Sequence, residues 1–196
     1  MAREMLEGDR NRERGDEEDM NPILDMLMNS AGGGAVQQLN RQFGLSGEQT
    51  QAALSSLVPA LMAGLQRNTS QEGGLGALLG ALDRGNHEQY LDSPETLAQE
   101  STKSDGNSIL GHIFGNKDVS RAVAARASDQ TGIGADVLKK MLPVVATMVM
   151  GGLSKQKATN QGPGGGNIIA SLLDQNRDGS IADEAFGLLS RFLGGR

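Results

Sequence analysis

Hydrophobic residues recur at spacings of three and four along much of the chain, which is the pattern of amphipathic α-helices. The most apolar stretch covers residues 132–153, and residues 44–65 carry a similar pattern. Near the start of the earlier stretch, Ser46 is followed three residues later by Gln49, which predicts a capping box at the start of a helix. Gly44, two residues before Ser46, is typical of the C-terminus of a preceding helix. The pattern therefore predicts an all-α fold built around two long apolar helices.

The second half of the chain resembles the first. Residues 107–114 (NSILGHIF) parallel residues 21–28 (NPILDMLM), and the two long apolar stretches align without a gap. A second alignment, which pairs Pro59 with Pro143, needs a gap of four residues. Since four residues make about one helical turn, both alignments keep the apolar face in phase. We interpret the chain as two tandem copies of a small multi-helix unit, with a period of roughly 86 to 91 residues.

This interpretation divides the chain into six segments. In order, they are a disordered charged tail (1–20), helical repeat 1 (21–84), an acidic linker (85–106), the core of helical repeat 2 (107–157), a Gly-rich joint (158–166) and a C-terminal helical hairpin with an Asp-rich loop (167–196). The tail has too little apolar surface to offset the entropy of ordering it. Because each copy leaves apolar surface that the other can cover, we expect the copies to pack into one domain.

Composition excludes several kinds of site. The chain of 196 residues has no Cys, which removes disulfides, thiolate nucleophiles and Cys-based metal centres. The chain has only two histidines, His87 and His112, which are too few to suggest a histidine-based metal site or catalytic site. We assign a role to neither. Aromatic residues make up 3%, so the core must consist of Leu, Ile, Val, Met and Ala. We therefore expect a protein that is not an enzyme, with no catalytic residues.

Localisation follows from the absence of apolar segments of sufficient length. The first twenty residues are charged throughout and contain no apolar core of a signal peptide. The longest apolar run, residues 141–150, is half of the roughly 20 residues that a bilayer-spanning helix needs. We expect a cytoplasmic protein without a membrane span.

Charge is distributed unevenly along the chain. The net charge is −6 overall, with −4 in residues 1–20, −4 in residues 83–100 and +4 in residues 107–157. Such polarity favours head-to-tail contacts between copies. We expect the protein to act through a protein partner or through self-association, and we do not expect nucleic acid to be its main partner.

Residues 174–184 (DQNRDGSIADE) fit the first half of an EF-hand calcium loop. The candidate ligands are Asp174, Asn176, Asp178, Ser180 and Asp183. Position twelve of the loop, where a bidentate Glu belongs, is Ala185. The alternative interpretation is a turn in which the carboxylates accept hydrogen bonds from backbone amides. Calcium is the one cofactor that the sequence suggests.

The succession of short helices, a turn and a longer helix also resembles a helix-turn-helix. Its recognition helix would cover residues 135–150, and its phosphate contacts would come from four cations: Arg121, Arg126, Lys139 and Lys140. The isoelectric point near 4.9 argues against this, and so does the apolar character of residues 141–150 on nearly every side. Binding of DNA is therefore the alternative to protein interaction, and we expect the long apolar helix to be buried.

Residues 111–156 (GHIFGNKDVSRAVAARASDQTGIGADVLKKMLPVVATMVMGGLSKQ) resemble the bacterial YidB-like family, a domain of unknown function, number 937. The resemblance covers residues 21–68 and 107–175, which is the chain apart from the acidic tail and the linkers. It implies an all-α, homeodomain-like fold in a bacterial protein. It implies no activity, cofactor or catalytic residue, and a homeodomain-like fold does not by itself imply DNA binding.

Overall fold

The structure is a computed structural model that describes residues 22–159 together with Ile169 and Leu173. Every regular element in this part of the chain is a helix, which confirms the predicted all-α class. The α-helices are α1 (Pro22–Asn29), α2 (Gly34–Phe43), α3 (Gly47–Thr69), α4 (Gly74–Arg84), α5 (Gln89–Asp92), α6 (Glu100–Phe114), α7 (Lys117–Thr131) and α8 (Ala135–Thr159). Short 3-10 helices cover Ser30–Gly33 and Pro94–Ala98.

The helix boundaries follow from local sequence. At the start of α3, the Ser46 hydroxyl accepts a hydrogen bond from the Gln49 amide at 3.2 Å. The Gln49 side chain in turn accepts one from the Ser46 amide at 3.0 Å. The predicted capping box is therefore confirmed. Gly44 ends α2 with φ 66°, a left-handed conformation that favours glycine.

Helix α8 is the centre of the fold. All residues from Met141 to Ser154 are buried, and α8 contacts all seven of the other described α-helices. Pro143 lies inside α8, so the segment is one helix and not two pieces. By length and composition alone, α8 is the one described helix that would suit a membrane span, but 83% of its apolar window is buried. That burial agrees with the predicted core helix.

Helix α6 is held between the two long helices by close approaches at two glycines. A Cβ on Gly106 would lie 2.1 Å from the carbonyl oxygen of Pro143 in α8. Where α6 meets α3, a Cβ on Gly64 would lie 2.5 Å from Cγ2 of Ile113. Because backbone atoms of α6 and α8 lie so close at Gly106, the position of α6 on the body is fixed, and with it the direction of its remaining faces.

The two halves have the same order of helices, α1–α2–α3 and α6–α7–α8. Leu78 and Leu82 on α4 are buried, and so are Ile169 and Leu173, which occupy the corresponding positions in the predicted second copy. The helices differ in length: α1 and α2 have 8 and 10 residues, and α6 and α7 have 15 each. The duplication and a homeodomain-like geometry of each copy stay predictions.

The interval predicted as an acidic linker, residues 85–106, is structured. It contains α5, the 3-10 helix Pro94–Ala98 and the first turns of α6, and its Tyr90, Leu91 and Leu97 are buried. Its few apolar residues form two short pairs, Tyr90-Leu91 and Leu97-Ala98, among polar residues, so no helical period is visible in the sequence. The interval is part of the packed body.

Other predicted segments lie outside the described residues. These are the tail (1–20), most of the Gly-rich joint (158–166) and most of the C-terminal hairpin (167–196). Helix α8 continues to Thr159, into the first residues of the predicted joint. Ile169 and Leu173 are helical and buried.

Candidate functional site

The second half of α6 separates two surface clefts. Residues 105, 108, 109, 112 and 113 line the first cleft, together with α4 and the segment leading into α5. Residues 107, 110 and 111 line the second, beside α7 and the start of α8. Residues three or four apart lie on the same helix face. One helix therefore forms a wall of both clefts.

The first cleft, which we call the histidine cleft, has a volume of about 490 Å³. Its apolar lining includes Leu65, Leu78, Ile109, Ile113 and Met150. Its polar lining comprises Asn68, Arg84, Asn86, His87, Gln89, Tyr90, Asp105, Ser108 and His112. A concave surface of this size with apolar walls and several polar groups is typical of a binding site.

Tyr90 and Asp105 connect α5 with α6 inside this cleft. The buried Tyr90 donates its hydroxyl hydrogen to Oδ2 of the exposed Asp105 at 2.6 Å. Burial of the ring, and then the hydrogen bond and negative charge of Asp105, raise the pKa of Tyr90 to about 12. The phenol thus stays protonated at neutral pH and acts as a hydrogen-bond donor rather than a base.

His87 is half-buried in the same cleft, and its ring centroid lies 6.1 Å from that of Tyr90. Burial lowers the pKa of His87 because it disfavours the charged imidazolium. A hydrogen bond to the Ala81 carbonyl and the charge of Asp105 act in the opposite direction. The ring lies against the backbone at Gly85, where a Cβ would be 2.0 Å from Nε2. The imidazole is therefore neutral at pH 7 and packed against the chain.

Two further polar side chains of this cleft form hydrogen bonds with helix backbones. Nδ2 of Asn68 on α3 donates to the His112 carbonyl at 2.9 Å, and the Ser108 hydroxyl donates to the Ser104 carbonyl at 3.2 Å. His112 itself is exposed. The Asn68 bond joins α3 to α6 and so helps to hold these two walls of the cleft in place.

The sequence did not predict the histidine cleft. Its residues come from α3, α4, α5, α6 and α8 and from the α4–α5 connection, and no local spacing links them. We assigned no role to His87 or His112, and the fold brings both to one cleft. The signal that could have pointed to it is compositional, because the cleft contains the single Tyr and both His residues of the chain.

The second cleft, which we call the basic groove, has a volume of about 470 Å³. Its cations are Lys117 and Arg121 on α7 and Lys139 on α8, and all three are exposed. Leu110 and Leu142 supply apolar surface, and none of the described lining residues is a carboxylate. The groove therefore carries a positive potential.

The N-terminus of α7 adds to this potential. Asn116 caps α7 by accepting hydrogen bonds from the amides of Asp118 and Val119, each at 3.0 Å. The positive end of the helix dipole is thus at the groove. Asp118 offsets part of the charge through an exposed ion pair with Arg121 at 2.7 Å.

Of the four cations predicted to contact phosphates, Arg121 and Lys139 lie together in the basic groove. Arg126 and Lys140 are exposed but do not line it. Lys117 was absent from the predicted set and becomes part of the groove because the turn between α6 and α7 brings it there. Residues 141–150 of the predicted recognition helix are buried, so this part of α8 is not accessible to a DNA groove.

Ion pairs neutralise the cations at the other end of α8. Lys155 pairs with Asp92, and Lys157 pairs with Asp83. These pairs join the acidic interval 83–100 to the basic half of the chain, so the fold itself satisfies part of the charge polarity. Four cations on α7 and early α8 have no carboxylate partner within the described part of the chain: Lys117, Arg126, Lys139 and Lys140.

No group of three or more His, Asp or Glu side chains in the described residues is arranged to hold a metal ion. The predicted calcium ligands lie outside those residues: Asp174, Asn176, Asp178, Ser180 and Asp183. Calcium binding by this loop stays a prediction.

No curated protein and no solved structure matches the chain. The model of a family described as "Bacterial protein of unknown function (DUF937)" matches residues 25–156. This range begins in α1, ends in α8 and includes both clefts. The predicted resemblance is confirmed, and the chain belongs to this bacterial family of unknown function.

Proposed function

We propose that this protein is a non-enzymatic, cytoplasmic helical module that acts by contact with proteins, and that its main partner is a second copy of itself. The observation that carries the proposal is the uneven neutralisation of charge. Lys155 and Lys157 have carboxylate partners within the fold, whereas Lys117 and Lys139 at the basic groove have none among the described residues. A positive surface of one copy attracts an acidic segment of another. Such a contact joins two different surfaces and is heterologous.

The histidine cleft supports binding rather than catalysis. The hydroxyl of Tyr90 is bonded to Asp105, the hydroxyl of Ser108 is bonded to the backbone of its own helix, and His87 packs against Gly85. Each of these groups makes a structural contact instead of standing ready as a nucleophile or base. An apolar floor with a polar rim has the anatomy of a protein interface.

Light scattering over a range of protein and salt concentrations tests self-association. We expect the average mass to exceed the chain mass of 20.5 kDa at low salt. It should fall toward that value at about 1 M NaCl, where the Debye length is only about 3 Å. A mass that stays at the monomer value at high protein concentration and at every salt concentration contradicts the proposal.

A DNA-binding module using Arg121, Arg126, Lys139 and Lys140 is the second candidate. The convergence of Arg121 and Lys139 in one groove favours it, and the burial of most of α8 opposes it. A mobility-shift assay at low salt decides the matter, because phosphate contacts are strongest there. Absence of retardation removes this candidate.

Weak calcium binding by residues 174–184 is a further proposal, carried by the loop sequence alone. Isothermal titration of the full chain with calcium should give heat in the millimolar range if the loop binds the ion. No heat at millimolar calcium removes this proposal.

A further inference from the structure

We infer that the basic groove binds the acidic segment of residues 16–19 (Asp-Glu-Glu-Asp) from a second copy of the chain. The inference rests on the proposed self-association and identifies the two surfaces that carry it. Neither the family description nor the helix-turn-helix prediction assigns a peptide to this groove.

The groove has the charges that an acidic peptide requires. Lys117, Arg121 and Lys139 line it, and Ser120 and Asn107 add polar groups. The cations come from two different helices, α7 and α8, so they flank the space between those helices. A ligand with carboxylates on two sides fits this arrangement better than one with a single anionic group.

The spacing of the cations matches an extended peptide. Lys117 and Arg121 are four residues apart on α7, which is about 6 Å along the helix axis. In an extended chain, alternate residues point to the same side and lie about 6.6 Å apart. Asp16 and Glu18 on one side of such a chain would meet the two cations of α7, while Glu17 and Asp19 face Lys139.

Residues 16–19 form the only run of four consecutive acidic residues in the chain, and the next three positions hold Met, Asn and Pro. Several other acidic residues are already paired with cations within the fold. Asp83 and Asp92 pair with lysines of α8, and Glu100 pairs with Lys103. Segment 16–19 is therefore the most concentrated negative charge that the chain offers to a partner.

Distance limits how this segment could reach the groove of its own chain. Near the start of α1, the Ile23 side chain lies 3.5 Å from the position of a Cβ on Gly152. Lys139 precedes Gly152 by 13 residues on α8, or about 20 Å along its axis. The four residues from Asp19 to Ile23 span at most about 14 Å, and the seven from Asp16 to Ile23 at most about 25 Å. Contact by Asp19 within one chain would therefore require full extension, whereas a second copy can bring all four carboxylates to the groove. The association measurements below distinguish the two arrangements.

Two variants of the full chain with matched charge changes test the groove. Lys117→Gln with Lys139→Gln removes one cation of the groove from α7 and one from α8. Arg126→Gln with Lys140→Gln is the control, because it removes one exposed cation from each of the same helices outside the groove. At 50 mM NaCl, sedimentation equilibrium should show self-association weakened at least tenfold in the groove variant and less than threefold in the control. Circular dichroism confirms that both variants fold.

A third variant tests the acidic segment: Asp16→Asn, Glu17→Gln, Glu18→Gln and Asp19→Asn. We expect it to lose self-association as the groove variant does. An equal mixture of this variant with the groove variant should recover hetero-association, because each supplies the surface that the other lacks. Recovery on mixing is specific to a contact between two different surfaces.

The outcomes separate the inference from the proposed function. If the unchanged chain associates at low salt and both surface variants associate equally well, self-association stands and the inference is wrong. If the control weakens association as much as the groove variant, only overall charge matters, and the inference is also wrong. If the unchanged chain is monomeric, the proposed function fails together with the inference.

Discussion

The histidine cleft and the basic groove are nearly equal in size, about 490 and 470 Å³, and they share helix α6 as a wall. Their polar groups differ. In the histidine cleft, Tyr90 and Ser108 are satisfied by hydrogen bonds within the fold, and burial favours the neutral form of His87. In the basic groove, Lys117 and Lys139 have no carboxylate partner in the described part of the chain. Volume alone therefore does not distinguish the two clefts as binding surfaces. What distinguishes them is whether their polar and charged side chains already have partners within the fold.

The largest effect is expected from displacing the shared wall. Gly106→Ala places a Cβ 2.1 Å from the Pro143 carbonyl oxygen, and a backbone atom cannot move aside cheaply. We expect a loss of about 3 kcal/mol in the free energy of unfolding. Urea denaturation followed by circular dichroism measures the loss.

Gly111→Ala is the control for that change. Gly111 lies on the same helix, and a Cβ there meets no atom within 4 Å. Because alanine favours the helix over glycine, we expect a gain of about 0.5 to 1 kcal/mol. Equal losses in the two variants would mean that the approach of α6 to α8 does not determine stability.

A smaller effect is expected from Tyr90→Phe, which changes the histidine cleft alone. It removes the hydrogen bond to Asp105 and keeps the buried ring. The expected loss of unfolding free energy is about 1 kcal/mol, the usual net contribution of one such bond. Self-association should stay unchanged, since Tyr90 does not line the basic groove. Loss of association in this variant would show that the two clefts do not act separately.

The smallest effect concerns pH. Burial lowers the pKa of His87 from its ordinary value of 6.5, so between 6.5 and the lower folded value the unfolded chain binds more protons than the folded one. The stabilisation from neutral His87 is therefore complete above pH 6.5 and is lost as the pH falls below it. Urea titrations from pH 8 to 5.5 should show this decline.

Replacement of His87 isolates this pH effect. His87→Gln should flatten the decline that the unchanged chain shows. An unchanged pH dependence in His87→Gln would assign the effect to other groups.

The sequence carried enough information for the fold class, the helix start at Ser46 and the burial of α8, because each depends on residues close together in the chain. Residues 85–106 were predicted to be a linker and are instead part of the packed body. The buried Tyr90 and Leu91 lie in a helix of only four residues, which is too short to show a helical spacing of apolar residues.

The clefts could not be predicted for a different reason. His87 and His112 are far apart in sequence and line one cleft only because α4, α5 and α6 all pack on α8. The basic groove was half predicted, since Arg121 and Lys139 lie in a visibly basic region, whereas Lys117 enters through the α6–α7 turn. The charge pattern in the sequence indicates which region is basic, but only the packing of the helices determines which cations line the groove.

The central position of α8 has a consequence for synthesis on the ribosome. Ile23 near the start of α1 packs close to Gly152 in α8. The contacts of α1, the first described helix, therefore cannot form completely until α8, the last, has been synthesised. At roughly 5 to 20 residues per second, the chain between them takes about 6 to 25 seconds to make. During that interval the apolar faces of α1 and α3 lack their cover. The nascent chain should therefore be a client of ribosome-associated chaperones until α8 has emerged.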